Sequence, residues 1–271
     1  SREYRVYHAL QGTGVPVPHA VLFHAGREVI GTPFYVMERL DGRVFHDSAL
    51  GAAAPAERWP MYLDFAATLA RLHDVDWRAI GLEGFGRPGN YFVRQIARWT
   101  KQWELARFRD IPDLVRLAAW LPEHVPADDE TTIVHGDYRI GNIMFHPVEP
   151  RVVAVLDWEL STLGHPLADV AFSCLAWHSA PAEYGGVLGL DLTALGIPGE
   201  AEYLDQYYRH RRIGSGLRVQ PFHLAFAMFR FAVIFEGIAA RARAGTAAAE
   251  NAAVVGDLSI AFARHGVQLI G

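Results

Sequence analysis

The densest chemistry in the chain lies in one short run, His135-Gly136-Asp137-Tyr138-Arg139-Ile140-Gly141-Asn142. Asp137 and Asn142 stand five positions apart, and Asp157 follows fifteen residues after Asn142, just past a Val-Val-Ala-Val-Leu run. A loop can turn the first two side chains into one cavity. A carboxylate placed directly after a buried strand is held in position and still reaches solvent. These residue types suit phosphoryl transfer, which needs cations positioned on phosphates and a group that orients the attacking hydroxyl, with little covalent help from the protein. Mg²⁺ prefers hard oxygen ligands and is held by one or two side chains plus phosphate and water; Asn142 and Asp157 offer an amide oxygen and a carboxylate. Asp137, kept off the metal, can accept a hydrogen bond from a hydroxyl and take its proton. From average residue usage, His-Gly-Asp with an Asn five later arises by chance in roughly one chain in 10³ of this length. The competing structural reading is a hairpin whose polar residues only cap turns.

Patterning predicts the elements that must position these groups. A helix opens the chain, with Val6, Ala9 and Leu10 on one face. A Gly- and Pro-rich turn over 12–18 precedes two strands, Ala20–His24 and 32–40, the second closed by Asp41-Gly42. From Pro55 the period is helical up to His73, with Tyr62, Phe65, Ala66, Leu69 and Leu72 sharing a face. Helices are expected over 91–108 and 113–121, then short strands at Thr132–Val134, Ile143–Phe145 and 152–156. After Pro166 the chain reads as helical to its end, broken over 185–199, with the Ala-rich 239–253 as a helix interrupted at Gly245. The order is a small sheet, then a mostly helical body with a β-hairpin in its middle, and active sites favour the junction of two such parts.

Bulk composition narrows the function classes. With 271 residues, one large two-part domain or two domains is expected. The chain is 51% hydrophobic and 20% charged, the balance of a soluble globular protein. A net charge of −5 provides no global field for nucleic acid. Cys174 is the one cysteine, which rules out an internal disulfide and fits a cytoplasmic location. The most apolar run, 221–240, carries His223, Arg230 and Glu236, so it reads as a buried helix; a bilayer span of about 20 residues rarely holds such groups. No signal-peptide pattern opens the chain. The 13 histidines show no zinc-site spacing.

His135-Gly136-Asp137-x4-Asn142, followed by Leu156-Asp157-Trp158-Glu159, resembles the aminoglycoside phosphotransferase (APH) and choline-kinase-like family, which shares the protein-kinase fold. Met37-Glu38-Arg39-Leu40 resembles that family's hinge, Leu69-Ala70-Arg71-Leu72-His73 its LAxLH helix, and Gly164-His165-Pro166-Leu167-Ala168-Asp169 its GDPxxD element, with His165 in place of the usual Asp. Phe85-Gly86-Arg87-Pro88-Gly89-Asn90-Tyr91, Arg98-Trp99-Thr100-Lys101-Gln102 and Trp158-Glu159-Leu160-Ser161-Thr162-Leu163 are similar to the subgroup of kinase domains found alone in bacteria or fused to acyl-CoA dehydrogenases.

The resemblance implies an α/β (α+β) protein-kinase-like bilobal fold. Residues 1–40 would be a remnant of the N-terminal lobe and hinge, and 41–271 the catalytic and substrate lobe. It implies ATP- and Mg²⁺-dependent phosphorylation of a small-molecule hydroxyl, with hydroxyacyl-CoA as a substrate class. Asp137 would be the base, with His135 and Arg139 beside it; Asn142 and Asp157 would hold the metal. Met37, Glu38 and Leu40 would meet adenine, and Glu3 would pair with a lysine of an earlier strand. That lysine and the Gly-rich phosphate loop are not in the sequence, and a start at Ser1 inside a helix is read as part of a longer chain.

Several residues carry two readings. His135 is either catalytic or a brace for the loop; Arg139 either neutralises the transferred phosphate or pairs with a carboxylate. Asp169 either touches metal or, the favoured reading, bonds backbone groups near the loop, and Glu159 faces metal, substrate or solvent. The Arg209-His210-Arg211-Arg212 run would meet a CoA phosphate or form a solvated helix end. Trp177 and His178 would line the acceptor pocket or pack in the core. The expected partner is a small molecule, without nucleic acid or membrane, and a homodimer is left open. Two other functions stay in view: a non-catalytic nucleotide- or CoA-binding module, and an antibiotic phosphotransferase, which would need a strongly acidic acceptor pocket.

Overall fold

The computed structural model describes residues 1–212, 216–246 and 252–271; part of the Ala-rich 239–253 stretch therefore lies outside the described residues. Helix α1 (Arg2–Leu10) is capped by the Ser1 hydroxyl, which accepts the Tyr4 N–H, and it buries Val6, Tyr7 and Leu10. Strands β1 (Ala20–His24) and β2 (Phe34–Met37) form an antiparallel ribbon. β2 is shorter than the expected 32–40, because Pro33 has no N–H to give to the ladder. Val21, Leu22, Phe23, Val36 and Met37 on this ribbon stay exposed.

Strand β3 (Arg43–Val44) leads to α2 (Pro55–His73), which starts with a proline whose fixed φ suits a first helical turn. Helices α3 (Tyr91–Ala106) and α4 (Pro112–Trp120) follow. Next come the four short strands that frame the catalytic run, β4 (Thr132–Val134), β5 (Ile143–Phe145), β6 (Val152–Val155) and β7 (Thr162–Gly164). β5 lies between β3 and β6, whereas β4 pairs with β7, all antiparallel. β7 is absent from the sequence reading: Thr-Leu-Gly is too short to show alternation and owes its extended form to β4.

The remaining helices are α5 (Pro166–Cys174), α6 (Leu192–Leu195), α7 (Glu200–His210), α8 (Pro221–Arg243), α9 (Ala252–Gly256) and α10 (Leu258–Ile270). Among the described residues α8 alone is long and apolar enough to cross a bilayer, yet 83% of its apolar window is buried within the chain. It packs on α3, α4, α5, α9 and α10, the buried helix that its interspersed charges predict. α2 runs under the catalytic loop: the Phe65 and Tyr138 rings stack at 4.6 Å, and the Tyr138 hydroxyl donates to the Phe65 carbonyl at 2.8 Å. Such aromatic stacking adds to the burial of both rings.

Candidate active site

The loop between β4 and β5 is tied down from α5. The buried Asp169 carboxylate accepts the His135 N–H at 2.6 Å and the Gly136 N–H at 2.8 Å. Gly136 has φ +86, and a Cβ there would lie 2.6 Å from the Leu160 carbonyl, so both backbone conformation and space demand glycine. Asp169 thus does the backbone-bonding expected of it, and it also faces His73, whose other ring nitrogen meets the Tyr207 hydroxyl at 2.8 Å.

His135 is fully buried. Its Nδ1 accepts the Asp137 N–H at 3.2 Å, which places its own proton on Nε2, and that nitrogen donates to the Leu156 carbonyl at 2.8 Å. Burial pushes its pKa down and keeps the ring neutral. With both nitrogens engaged and Trp158 packed 4.7 Å away, the ring ties the Asp137 loop to the strand exit that carries Asp157.

Asn142 performs a comparable linkage. Its amide nitrogen donates to Asp137 Oδ2 at 2.6 Å and to the Asp137 carbonyl at 2.8 Å, which leaves its amide oxygen for another partner. Its backbone carbonyl accepts the Leu156 N–H at 2.9 Å. The next residue, Asp157, has φ +61 and is exposed, and its carboxylate has no hydrogen bond or ion pair among the described residues. A left-handed non-glycine residue is a strained conformation that clusters at functional sites. Arg139 Nε lies 3.2 Å from Asp137 Oδ2. One oxygen of Asp137 is therefore held by two donors, while Oδ1 takes no hydrogen bond within the described chain.

Glu3 of α1 reaches the same region. It accepts from the Tyr35 hydroxyl at 3.4 Å. Partial burial pushes its pKa up, against the Tyr35 bond, and the charges of Asp157 and Glu159 push it further up. Three carboxylates therefore share one field at the mouth of the loop. The Asn142 amide oxygen and the Asp157 carboxylate are hard donors without a partner in the described chain, so the residues fit a Mg²⁺ ion.

The hinge candidates are placed differently. Glu38 pairs with His19, its N–H donating to the His19 carbonyl at 2.8 Å and its carboxylate accepting the His19 N–H at 3.3 Å. Met37 is exposed, and Leu40 and Glu38 border an open cleft with Val17 and Val153. Among the described residues no hydrogen bond joins these three to the catalytic loop.

A cavity of about 220 Å³ borders the loop at Arg139, Ile140 and Gly141. Its walls include Tyr62, Phe65, Phe172, Tyr184, Phe231 and Phe262, with Asp47 as its one carboxylate. Trp177 and His178 do not line it. Trp177 is buried against Tyr62 and Tyr203 and donates to the Pro198 carbonyl, while His178 pairs with Glu200 at 3.0 Å. Within the basic run, Arg211 is consumed by Asp74 and Glu130.

One further cluster has the composition of a metal site. Asp128, His165 and His223 place potential ligand atoms within 4.8 Å of one another. The hydrogen bonds argue otherwise. Nδ1 of His165 accepts the Leu167 N–H, and Nδ1 of His223 accepts the Gln220 N–H. Each neutral ring therefore carries its proton on Nε2 and turns no lone pair to a metal; His165 donates that proton to Asp128 at 3.0 Å, whereas the His223 Nε2 has no partner among the described residues.

The sequence profile of the phosphotransferase enzyme family, APH, matches residues 1–210. The chain belongs to this family. Its resemblance to the subgroup linked with acyl-CoA dehydrogenases is also met. The chain is 42% identical over 265 residues to mouse acyl-CoA dehydrogenase family member 10, covering 97% of the chain and 25% of that protein. It spans a quarter to about a third of the length of the curated relatives it matches. Among solved structures, a Ralstonia eutropha JMP134 protein provisionally classed as an aminoglycoside phosphotransferase has 48% identity and a TM-score of 0.94, over 99% of this chain and 82% of that one. A thermostable APH(4)-Ia crystallised with AMP-PNP and hygromycin B has 16% identity and a TM-score of 0.62, over 98% of this chain and 82% of that one, a likeness of fold alone. The chain thus has the kinase-like phosphotransferase fold, mixed in class and mostly helical, and APH membership supports a small-molecule phosphotransferase.

Proposed function

We propose that the protein uses ATP and Mg²⁺ to phosphorylate a hydroxyl on a small molecule, with hydroxyacyl-CoA as the acceptor class. The observation that carries this reading is the asymmetric hold on Asp137. Asn142 and Arg139 fix Oδ2, so Oδ1 is aimed as the acceptor of a hydroxyl proton. His135 acts as a positioning residue that keeps Asp137 and Asp157 in register. Asn142 and Asp157 would hold Mg²⁺, which when bound neutralises phosphate charge. Arg139, on the border of the cavity, can meet the transferred group. Glu3 stands beside Asp157, and Met37, Glu38 and Leu40 form the edge against which a nucleotide base would lie.

The cavity supports the acceptor class. Aromatic walls with a single carboxylate, Asp47, beside Arg139 give a polycation little to bind. They suit a hydroxyl on a hydrocarbon body, which disfavours the antibiotic reading. The intact set of Asp137, Asn142 and Asp157 disfavours a non-catalytic module. In the full-length protein, Asp137→Asn should lower acceptor-dependent ADP release by about 10²–10⁴-fold while leaving the melting temperature close to that of the parent. Near-normal turnover would remove Asp137 as the base.

A further inference from the structure

A second cavity, of about 260 Å³, meets the catalytic loop at Gly136 and the segment that follows Asp157. It shares no lining residue with the aromatic cavity. Arg2, Arg98 and Arg230 line it, with Gln95 and Trp99, and Glu159 is its one carboxylate. Three guanidinium groups against one exposed carboxylate make a local positive site in a chain whose net charge is −5.

Arg230 is the unusual member. It is 7% exposed, as is Arg58. Arg58 satisfies its guanidinium on the Ala53 and Leu195 carbonyls, and the equally enclosed Arg211 side chain meets two carboxylates. Arg230 makes one hydrogen bond, to the Gly136 carbonyl, and its Nε has no partner. It forms no ion pair among the described residues. The Trp99 and Phe172 rings flank it with centroids at 5.4 and 5.1 Å, and the Trp99 indole N–H is also without a partner. A buried guanidinium is costly unless an acceptor meets it. The Arg98 guanidinium lies 5.4 Å from the Trp99 ring centroid, and Arg2, although its donors serve the Ser161 and Phe85 carbonyls, adds its charge. Guanidinium forks converging from α1, α3 and α8 match an oxyanion with several acceptor oxygens.

We propose that this cavity binds a phosphate-type oxyanion, seated on Arg230 and Arg98 and separate from the cation site at Asn142 and Asp157. The Arg230 bond to Gly136 places the anion in contact with the loop that holds Asp137. This goes beyond the catalytic reading and stands without it. Two sources share the chemistry: a phosphate carried by the acceptor, or a free phosphate ion.

The probe is inorganic phosphate, titrated calorimetrically into the full-length protein at fixed ionic strength, without nucleotide or magnesium. Arg98→Gln, an exposed position, and Arg230→Lys, which keeps the charge and loses the fork, should each weaken binding by about tenfold or more. Asp157→Asn should leave it unchanged. If Arg230→Lys does not fold, Arg98→Gln decides alone. No binding by the parent, parent-like binding by Arg98→Gln, or loss of binding in Asp157→Asn would overturn the proposal. These readouts need no turnover, so they separate from a failure of the kinase reading. In a turnover assay, competition between phosphate and a phosphate-bearing acceptor assigns the site to the acceptor. A change of rate without competition assigns it to the free ion. Either pattern supports the site.

Discussion

The catalytic loop and the β1–β2 ribbon are both short segments framed by small strands, and they are held in opposite ways. In the loop, buried neighbours fix the backbone and the candidate base: Asp169 grips the backbone at His135 and Gly136, His135 grips Leu156, and Asn142 grips Asp137. In the ribbon, Val21, Leu22, Phe23, Val36 and Met37 are exposed, and Glu38 just beyond it bonds, among the described residues, to His19 alone. The difference teaches where precision is needed. Transfer of a proton and placement of a cation depend on sub-ångström geometry, which only a satisfied, buried network maintains. The edge proposed to meet a nucleotide base needs less constraint, because contact with a planar ring tolerates small shifts.

Three changes break or sharpen this contrast. Asp169→Ala should be the most damaging, because it strips a buried carboxylate from two backbone N–H groups and from His73. A loss of about 3–5 kcal/mol is expected in urea unfolding, with turnover falling alongside it. A smaller effect comes from acid. Burial, reinforced by His165 and opposed by Asp128, pushes the His223 pKa down from 6.5 to about 4. The unfolded chain takes up this proton first. Stability present above pH 6.5 is therefore lost as the pH falls through that window toward 4, by about 3 kcal/mol from this group. Unfolding curves at stepped pH should show the loss, and His223→Gln should flatten it; a slope unchanged by that substitution would contradict the assignment. The ribbon should respond least. Val21→Ser is expected to alter stability by no more than about 0.5 kcal/mol, since its side chain is 54% exposed. A larger cost by thermal melting would show that the ribbon is braced more firmly than its exposure indicates.

Much of the framework is legible from local pattern. The helical face of α2, the strands beside the loop and the buried character of α8 follow from periodicity and interspersed charge, which are properties of neighbouring residues. What local pattern left open was decided by distant partners. Tyr7 takes the buried place beside Val6 and Leu10 because its ring meets Trp158 at 6.4 Å, a residue far along the chain. Trp177 goes to the core because Tyr62 and Tyr203 surround it. Arg230 signals only that its helix does not span a bilayer; its place above Gly136 depends on how α8 packs.

By itself, the sequence determined the chemistry on offer: an Asp, an Asn and a second Asp at spacings that suit a base and two metal ligands, in a chain of the APH family. Tertiary structure decided how each is used. It showed which oxygen of Asp137 is held, placed the His135 proton on Nε2, and made His165 a hydrogen-bond donor to Asp128. It also gathered three arginines from three helices around one cavity. The physical reason is that spacing along a chain limits what local segments can present, whereas protonation, orientation and burial depend on groups brought together only by folding.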